Sequence, residues 1–190
     1  DNMKKPVVAL VGRPNVGKST IFNRMVGKKI SIIEDTPGVT RDRVYGNVSY
    51  YDYKFHLIDT GGIELGKENF NNEIRMQATL AIDEADIVVF VVDGKEGITS
   101  DDFLVRDMLQ KISDKVIVAI NKCDSKRIKE NEYEFYELGF DNYIKVSGEQ
   151  GDGIYDLMDA ITINFPKFEE DMEDGIVKFS IIGRPNVGKS

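Results

Sequence analysis

The chain has 190 residues, 41% of them hydrophobic and 31% charged, which is enough for one full globular domain with a core. A formal net charge of −8 argues against electrostatic attraction to nucleic acid, so we expect no direct nucleic-acid binding by this region alone. The longest apolar run, Ile87–Val92, is too short to cross a membrane, and no signal peptide is recognisable, so we expect no membrane partner. Cys123 is the single cysteine, which excludes an internal disulfide and predicts a reducing, cytoplasmic location. The single histidine, His56, lies in an apolar strand-like stretch, which favours an ordinary sheet residue over a catalytic base.

Apolar strand-like runs alternate with helical patterns along the chain. Strands are predicted at Val7–Val11, Val44–Tyr51, Lys54–Ile58, Ile87–Val92, Val116–Ile120 and Tyr143–Val146, and apolar residues recur at helical spacing over 74–85, 105–112 and 154–161. This alternation predicts an α/β fold with a six-stranded, mostly parallel mixed sheet and helices on both faces. The second and third strand patterns meet at Asp52–Tyr53 with room only for a hairpin, so one strand should run antiparallel.

Two long segments, Gly27–Arg43 and Thr60–Asn72, lack periodicity and are rich in Gly, Asn and charged residues. Loops of this length inside a compact domain usually carry function. Farther along, the acidic stretch from Glu169 to Asp174 predicts a solvated linker, with an acidic interaction tail as the alternative. A new apolar strand pattern, Ile176–Ile182, follows that stretch.

The phrase GRPNVGKS occurs twice, at Gly12–Ser19 and again at Gly183–Ser190. It satisfies G-x-x-x-x-G-K-[ST], and the first copy follows a predicted strand and opens a predicted helix, which is the context of a phosphate-binding loop. Gly12 and Gly17 let the backbone fold closely around a phosphate, whose oxygens would face N–H groups of the loop and the helix start. The predicted phosphate-binding residues are Asn15, Val16, Gly17, Lys18, Ser19 and Thr20. Lys18 would reach the β- and γ-phosphates and the Ser19 hydroxyl would ligate Mg²⁺, whereas a plain glycine-rich turn is the alternative.

A second motif, LIDTGG, ends another predicted strand. The Asp59 carboxylate at the strand end can hold a Mg²⁺-bound water, and the Gly62 N–H can be offered to the γ-phosphate. An isolated Asp-x-x-Gly is usually a turn. Following a phosphate-binding loop, it is the expected partner of that loop.

A third motif, AINKCD, closes the strand Val116–Ile120. The Asp124 carboxylate can accept hydrogen bonds from the N1–H and N2–H₂ groups of guanine, which adenine lacks. Asn121 would brace the phosphate loop and the base site, and the aliphatic part of Lys122 would lie over the base. The three motifs together predict a guanine nucleotide, GTP or GDP, as the ligand.

In this order, the motifs resemble those of Ras-like P-loop GTPase domains related to translation factors. The resemblance assigns Thr40 in DTPGVTRDR as a switch threonine that ligates Mg²⁺, and Ser147 and Gly148 in VSGEQGDG as residues of the base-binding loop. Gly148 departs from the family's alanine. Because the family uses the backbone N–H of this residue toward guanine, we expect the lost methyl to matter little.

GRPNVGKST, DTPGVTRDR and DTGG, with the repeated loop, are more specifically similar to the Der (EngA) family. That family carries two GTPase domains in tandem and a C-terminal KH-like domain, and it assists large ribosomal subunit assembly. The resemblance implies a first GTPase domain at 4–166, an acidic linker at 167–175, and the first strand and phosphate loop of a second GTPase domain at 176–190. It also implies a GTP/GDP switch whose partner, through the full-length protein, is the large ribosomal subunit.

The predicted reaction is Mg²⁺-dependent hydrolysis of GTP to GDP and phosphate, catalysed mainly by positioning and charge neutralisation. Gly27–Arg43 and Thr60–Asn72 would be the switches. The alternative from another class is a nucleotide-gated binding module for which turnover is incidental. Ile63 favours that alternative, because Ras relatives place a water-orienting glutamine there and isoleucine cannot orient water.

The resemblance also predicts a monovalent ion. No residue matches an arginine finger, yet the transition state spreads negative charge that some cation must meet. Asn15 stands where potassium-using members of the superfamily carry an asparagine that coordinates K⁺, and it is therefore added to the predicted catalytic residues. With those introduced above, the predicted catalytic residues are Lys18, Thr40, Gly62 and Asn15. The alternative is that Asn15 only braces the loop by hydrogen bonds.

Overall fold

The computed structural model describes residues 4–27, 32–35, 42–62, 70–123 and 132–168. Several sequence-based predictions therefore lie outside the described residues. These are the roles of Thr40, Ile63 and Asp124, the acidic linker beyond residue 168, and the second copy of the phosphate loop.

One mixed sheet forms the centre of the described region. Its strands are β1 (Val7–Val11), β2 (Ile32–Asp35), β3 (Asp42–Tyr50), β4 (Tyr53–Asp59), β5 (Ile87–Asp93), β6 (Val116–Asn121) and β7 (Asn142–Lys145). Their order across the sheet is β2-β3-β4-β1-β5-β6-β7. Strand β3 pairs antiparallel with both β2 and β4, and the other pairs are parallel, so β3 alone runs against the rest.

The predicted mixed α/β sheet with one antiparallel strand is confirmed. The sheet has seven strands in the described region, one more than the six predicted from the sequence. The added strand, β2, lies within Gly27–Arg43, which the sequence predicted as a loop because it lacks alternation of apolar and polar residues. The segment forms a strand because it pairs with β3, and this pairing cannot be recognised from the local sequence.

Helices cover both faces of the sheet. They are α1 (Lys18–Val26), α2 (Phe70–Glu84), α3 (Ser100–Leu109) and α4 (Ile154–Thr162), with short 3₁₀ helices at Thr60–Gly62, Gln110–Lys115 and Glu132–Leu138. Successive residues of β1 lie on opposite faces of the sheet and belong to two different apolar clusters. Leu10 packs with α1 and α4, whereas Val11 packs with α2 and α3. Among the helices within the described ranges, none has both the length and the apolarity needed to cross a membrane.

The fold brings the predicted motifs to one edge of the sheet. Parallel strands end at a common edge, and in this protein β1 leads into the loop at Gly12 while β4, β5 and β6 end at Asp59, Asp93 and Asn121. Ligands of open α/β sheets bind outside this carboxyl edge. The candidate site therefore lies at the carboxyl ends of the parallel strands.

Candidate functional site

The loop between β1 and α1 has a shape that only glycine permits at two positions. Gly17 has φ +98°, and a Cβ added there would lie 2.2 Å from Nδ2 of Asn121. A Cβ on Gly12 would lie 2.6 Å from the carbonyl oxygen of Val91. Because α1 begins at Lys18, its first N–H groups, which have no partner within the helix, lie next to this loop.

Lys18 is buried at the start of α1, with only 7% of the residue exposed. Its ammonium group donates to the carbonyl oxygens of Gly12 at 2.6 Å and Arg13 at 3.0 Å. Burial lowers the pKa of Lys18 to about 8, although the charges of Asp59 and Glu73 act in the opposite direction. An anion bound beside the ammonium group would stabilise its charged form, so this position fits a phosphate.

Asp59 lies at the end of β4 with its side chain directed into the same region. Its Oδ1 accepts a hydrogen bond from the Gly61 N–H at 2.9 Å. Burial raises the pKa of Asp59, while this hydrogen bond and the charge of Lys18 lower it. A Cβ on Gly61 would lie 2.9 Å from Cε of Lys18, so a side chain at Gly61 would displace the lysine from its present position. Gly62 ends the short 3₁₀ helix that follows.

Gln77 of α2 joins the first two motifs, although sequence reasoning did not single it out. Its Oε1 accepts from the Thr60 hydroxyl at 2.9 Å and from the Gly12 N–H at 3.3 Å. The Thr60 hydroxyl also lies 2.7 Å from the Leu10 carbonyl oxygen. Gln77 is 2% exposed, so this buried hydrogen-bonded group fixes the DTGG segment against the phosphate loop. The helical pattern of the sequence around Gln77 marks only its apolar neighbours.

Asn121 connects the phosphate loop with the loop after β7. Its Nδ2 donates to the Val16 carbonyl oxygen at 2.8 Å, and its Oδ1 accepts from the Gly148 N–H at 2.9 Å. The residue is 3% exposed. Beside it lies a cavity of about 280 Å³, lined by Gly17, Thr20, Lys95, Asn121, Lys122, Ser147 and Glu149.

Lys122 extends along this cavity toward the phosphate loop. Its backbone has φ +67°, and its ammonium group donates to the Asn15 carbonyl oxygen at 3.1 Å and to Asp93 Oδ2 at 2.7 Å. The aliphatic part of the side chain is thereby held in place beside the cavity. Asp93, the last residue of β5, also accepts from the N–H groups of Lys95 and Glu96, and sequence reasoning missed it.

The loop after β7 is held by its own turn and by α1. Ser147 is buried, its N–H donates to the Asp152 carbonyl oxygen at 2.8 Å, and its Oγ accepts from the Gln150 N–H at 3.1 Å. The Arg24 guanidinium donates to the carbonyl oxygens of Gly148, at 2.8 Å, and Glu149. Arg24 is a third residue that the motifs did not reveal.

Gly148 has a packing environment that bears on its departure from alanine. A Cβ there would lie 3.1 Å from Cγ2 of Thr20 and 3.3 Å from Cγ1 of Ile21. These separations are tight, so a methyl group would have to displace side chains of α1. The Thr20 side chain takes up the space next to Gly148.

The structure thus brings most of the predicted site residues to one edge of the sheet: Asn15, Val16, Gly17, Lys18, Ser19, Thr20, Asp59, Gly62, Asn121, Lys122, Ser147 and Gly148. Thr40 and Asp124 lie outside the described residues. A second cavity, of about 320 Å³, lies near the beginning of β1 and includes His56, which is hydrogen-bonded to Asn47 at 2.8 Å. Its lining includes none of the predicted site residues.

The donor set near the phosphate loop suits Mg²⁺. Ser19 is exposed on the first turn of α1, and Asp59 ends β4 beside the loop. A hydroxyl group and a carboxylate are hard oxygen ligands, and Mg²⁺ is usually bound by one or two such side chains together with substrate phosphates.

Comparison with known proteins agrees with this geometry. Residues 7–122 match a family model described as a 50S ribosome-binding GTPase. The GTPase Der of Leuconostoc citreum is 56% identical over 189 residues, which are 99% of this chain and 43% of that protein. The chain spans less than half the length of the curated Der relatives that it matches, 43% in each case.

Solved structures show the same fold. The G domain of the FeoB iron transporter of T. maritima is 30% identical with a TM-score of 0.65, covering 84% of this chain and 98% of that domain. Era of Aquifex aeolicus bound to GDP and AlF4⁻ is 30% identical with a TM-score of 0.68, covering 88% of this chain and 59% of that protein. The Ras-like fold predicted from the motifs is therefore confirmed. The chain belongs to the family described as 50S ribosome-binding GTPases, and over 99% of its length it is similar to the Der GTPases.

Proposed function

We propose that the site at the carboxyl edge of the sheet binds GTP or GDP with Mg²⁺ and hydrolyses GTP as a switch in large ribosomal subunit assembly. The observation that carries this proposal is the position of Lys18, a buried ammonium group held by two loop carbonyls at the start of a helix. Such a group lowers the energy of a phosphate chain beside it far more than an exposed lysine would.

The phosphate chain would lie against the loop and the N-terminus of α1. The N–H groups of residues 15–20 would donate to phosphate oxygens, and Lys18 would contact the β- and γ-phosphates. The Gly62 N–H would donate to the γ-phosphate, which GTP has and GDP lacks, so this hydrogen bond would form only with GTP. Ser19, Asp59 and Thr40 would hold Mg²⁺, which supplies positive charge to the oxygens of the phosphates when it is bound.

The base would enter the cavity beside Asn121. Lys122, held by Asp93 and the Asn15 carbonyl oxygen, would cover one face of the ring with its aliphatic stem. The Gly148 N–H already donates to Asn121 Oδ1, so Asn121 fixes the loop that would approach the base. Asp124 would select guanine through hydrogen bonds to N1–H and N2–H₂.

We also propose Asn15 as a ligand of a K⁺ cofactor. Its side chain is exposed, and within the described ranges its hydrogen bonding is limited to the backbone carbonyl, which leaves the amide oxygen available to a cation. Replacing K⁺ by Na⁺ at matched ionic strength should slow GTP hydrolysis at least about tenfold, or roughly 1.4 kcal/mol. Asn15→Ala should remove the difference between the ions. Equal turnover of the unmodified protein in both salts would instead support the bracing role.

The proposed ribosomal role and domain organisation are based on similarity to known proteins. The family model is described by binding to the 50S subunit, and the matched Der proteins are longer than this chain. A first GTPase domain at 4–166, a linker at 167–175 and the start of a second GTPase domain at 176–190 account for the repeated GRPNVGKS phrase. Cosedimentation of the full-length protein with 50S particles in GTP and in GDP tests this role, and equal cosedimentation in both nucleotides would oppose it.

A nucleotide-gated binding module remains the second candidate, because Ile63 cannot orient a water molecule. The two functions differ in turnover. Hydrolysis of bound GTP measured in a single turnover, with and without 50S particles, distinguishes an enzyme from a module whose nucleotide state only selects partners. A rate equal to that of GTP in buffer under both conditions would favour the module.

A further inference from the structure

The segment from the end of β5 to the first turn of α3, Asp93–Asp102, lies against the phosphate loop although it contains none of the nucleotide-binding motifs. Arg13 of the loop is 7% exposed, and its guanidinium contacts this segment twice. Nη2 donates to Glu96 Oε1 at 3.0 Å, and Nε lies 3.3 Å from both carboxylate oxygens of Asp102. Asp102 itself is fully buried.

Asp102 has two tasks at the start of α3. Its Oδ2 accepts from the Thr99 N–H at 2.9 Å, which caps the helix, and from Arg13 Nε. Its Oδ1 is buried and has no hydrogen-bond donor within the described ranges, so its contact with Arg13 is one of charge. A helix cap alone needs no arginine, whereas a buried carboxylate with an unbonded oxygen depends strongly on its cation.

Arg13 connects this ion pair with Lys18. While the guanidinium is held on the β5–α3 side, the carbonyl oxygen of Arg13 accepts from the Lys18 ammonium group at 3.0 Å. The Gly12 carbonyl oxygen holds the same ammonium group at 2.6 Å. The chain of contacts from Asp102 through Arg13 to Lys18 therefore consists of a buried ion pair and one hydrogen bond.

We propose that Asp102 is a positioning residue of the nucleotide site, which acts through Arg13 to hold Lys18 in line with the phosphates. This inference rests on the proposed function of Lys18. It also assigns Arg13 a structural role, because its guanidinium is bound by Asp102 and Glu96. The same segment reaches the other half of the site, since Asp93 holds Lys122 at 2.7 Å.

The test compares Asp102→Asn with Asp101→Asn. Both variants remove one carboxylate from the first turn of α3, but only Asp102 pairs with Arg13. Binding of GDP and of a non-hydrolysable GTP analogue would be measured below the unfolding temperature, which is determined without nucleotide. We expect Asp102→Asn to weaken binding of the GTP analogue about tenfold and of GDP less, because Lys18 contacts both the β- and the γ-phosphate. Asp101→Asn should bind like the unmodified protein.

A double variant separates positioning from stability. Arg13→Met with Asp102→Asn leaves no unpaired buried charge, and the asparagine can still accept from the Thr99 N–H. We expect the unfolding temperature to recover relative to Asp102→Asn, while binding of the GTP analogue stays weak. Recovery of both would overturn the proposal, as would equal affinities of Asp102→Asn and Asp101→Asn.

If Asp102→Asn does not fold, the double variant takes its place, because it leaves no unpaired buried charge. Its affinity for the GTP analogue should be about tenfold below that of Asp101→Asn, and an equal affinity would contradict the proposal. Nucleotide binding by the unmodified protein distinguishes failure of the proposed function from failure of the positioning role of Asp102. If neither it nor Asp101→Asn binds guanine nucleotides, the proposed function fails, whereas if both bind and Asp102→Asn matches them, only the positioning role of Asp102 fails.

Discussion

The phosphate side of the proposed site, Gly12–Lys18, and the base side, formed by Asn121, Lys122 and the loop at Ser147–Gly148, are shaped by different forces. On the phosphate side, the conformation of the loop depends on close packing, because a side chain at Gly12 or Gly17 would overlap neighbouring atoms. On the base side, the conformation depends on long-range hydrogen bonds, because Asn121 and Arg24 bind a loop that is distant in sequence. The phosphate side should therefore tolerate almost no added volume, and the base side should respond to lost polar groups.

The largest effect is expected on the base side at Asp124. Asp124→Asn should abolish tight GTP binding and confer binding of xanthosine triphosphate, because the hydrogen-bonding polarity of the side chain then matches the altered base. The loss should be about 3–4 kcal/mol, as for two charged hydrogen bonds. Competition of the two nucleotides against labelled GDP measures this change. Asp114→Asn, an exposed carboxylate before β6, is the matched control, and equal GTP affinity of both variants would contradict the base-site assignment.

Lys18 allows the phosphate side to be tested by pH. Its pKa in the folded protein is lowered to about 8, from 10.5 when the chain is unfolded. The unfolded chain therefore binds more protons between these values, and the stability of the nucleotide-free protein should gain about 3 kcal/mol from Lys18 as pH rises through this range. Urea unfolding at several pH values, compared with Lys18→Met, measures the difference. Parallel curves for the two proteins would show that Lys18 is not buried without an anion.

Asn121 belongs to both sides, so its removal should affect them together. Asn121→Ala leaves the Gly148 N–H and the Val16 carbonyl oxygen without this partner, and we expect GDP binding to weaken roughly a hundredfold, or about 2.7 kcal/mol. Calorimetric titration of GDP measures the loss. Asn142→Ala, at the exposed start of β7, is the control. If the two alanine variants bind GDP equally, the two sides are not coupled through Asn121.

The smallest effect is expected at Gly148. Gly148→Ala would place a methyl 3.1 Å from Cγ2 of Thr20, and a modest shift of that side chain should limit the loss of GDP affinity to about threefold. Thr20→Ser removes the opposing methyl, so the double variant should bind GDP like Thr20→Ser alone. A loss of about threefold in the double variant relative to Thr20→Ser alone would mean that the contact with the Thr20 methyl does not govern the loop.

The sequence predicted the architecture well, and the motif residues lie at one edge of the sheet because residues such as Asp59 and Asn121 end parallel strands. It did not predict β2, whose residues do not alternate and whose strand state depends on pairing with β3. Nor did it reveal Gln77, Arg24 or the ion pair between Asp102 and Arg13. Their partners lie tens of residues away in the chain, and a helical pattern identifies an apolar face without showing which polar neighbour reaches the loop.

The most direct test of the central claim is calorimetric titration of GDP into a protein of the 190 residues in this sequence. The chain contains its own control, since Lys18 and Lys189 occupy the same position of two identical phrases. In such a protein Lys189 is followed only by Ser190, so no helix of the second copy can present N–H groups to a phosphate. We predict one GDP site per chain, abolished by Lys18→Ala and unchanged by Lys189→Ala. A second site of comparable affinity, or a site that survives Lys18→Ala, would contradict the account.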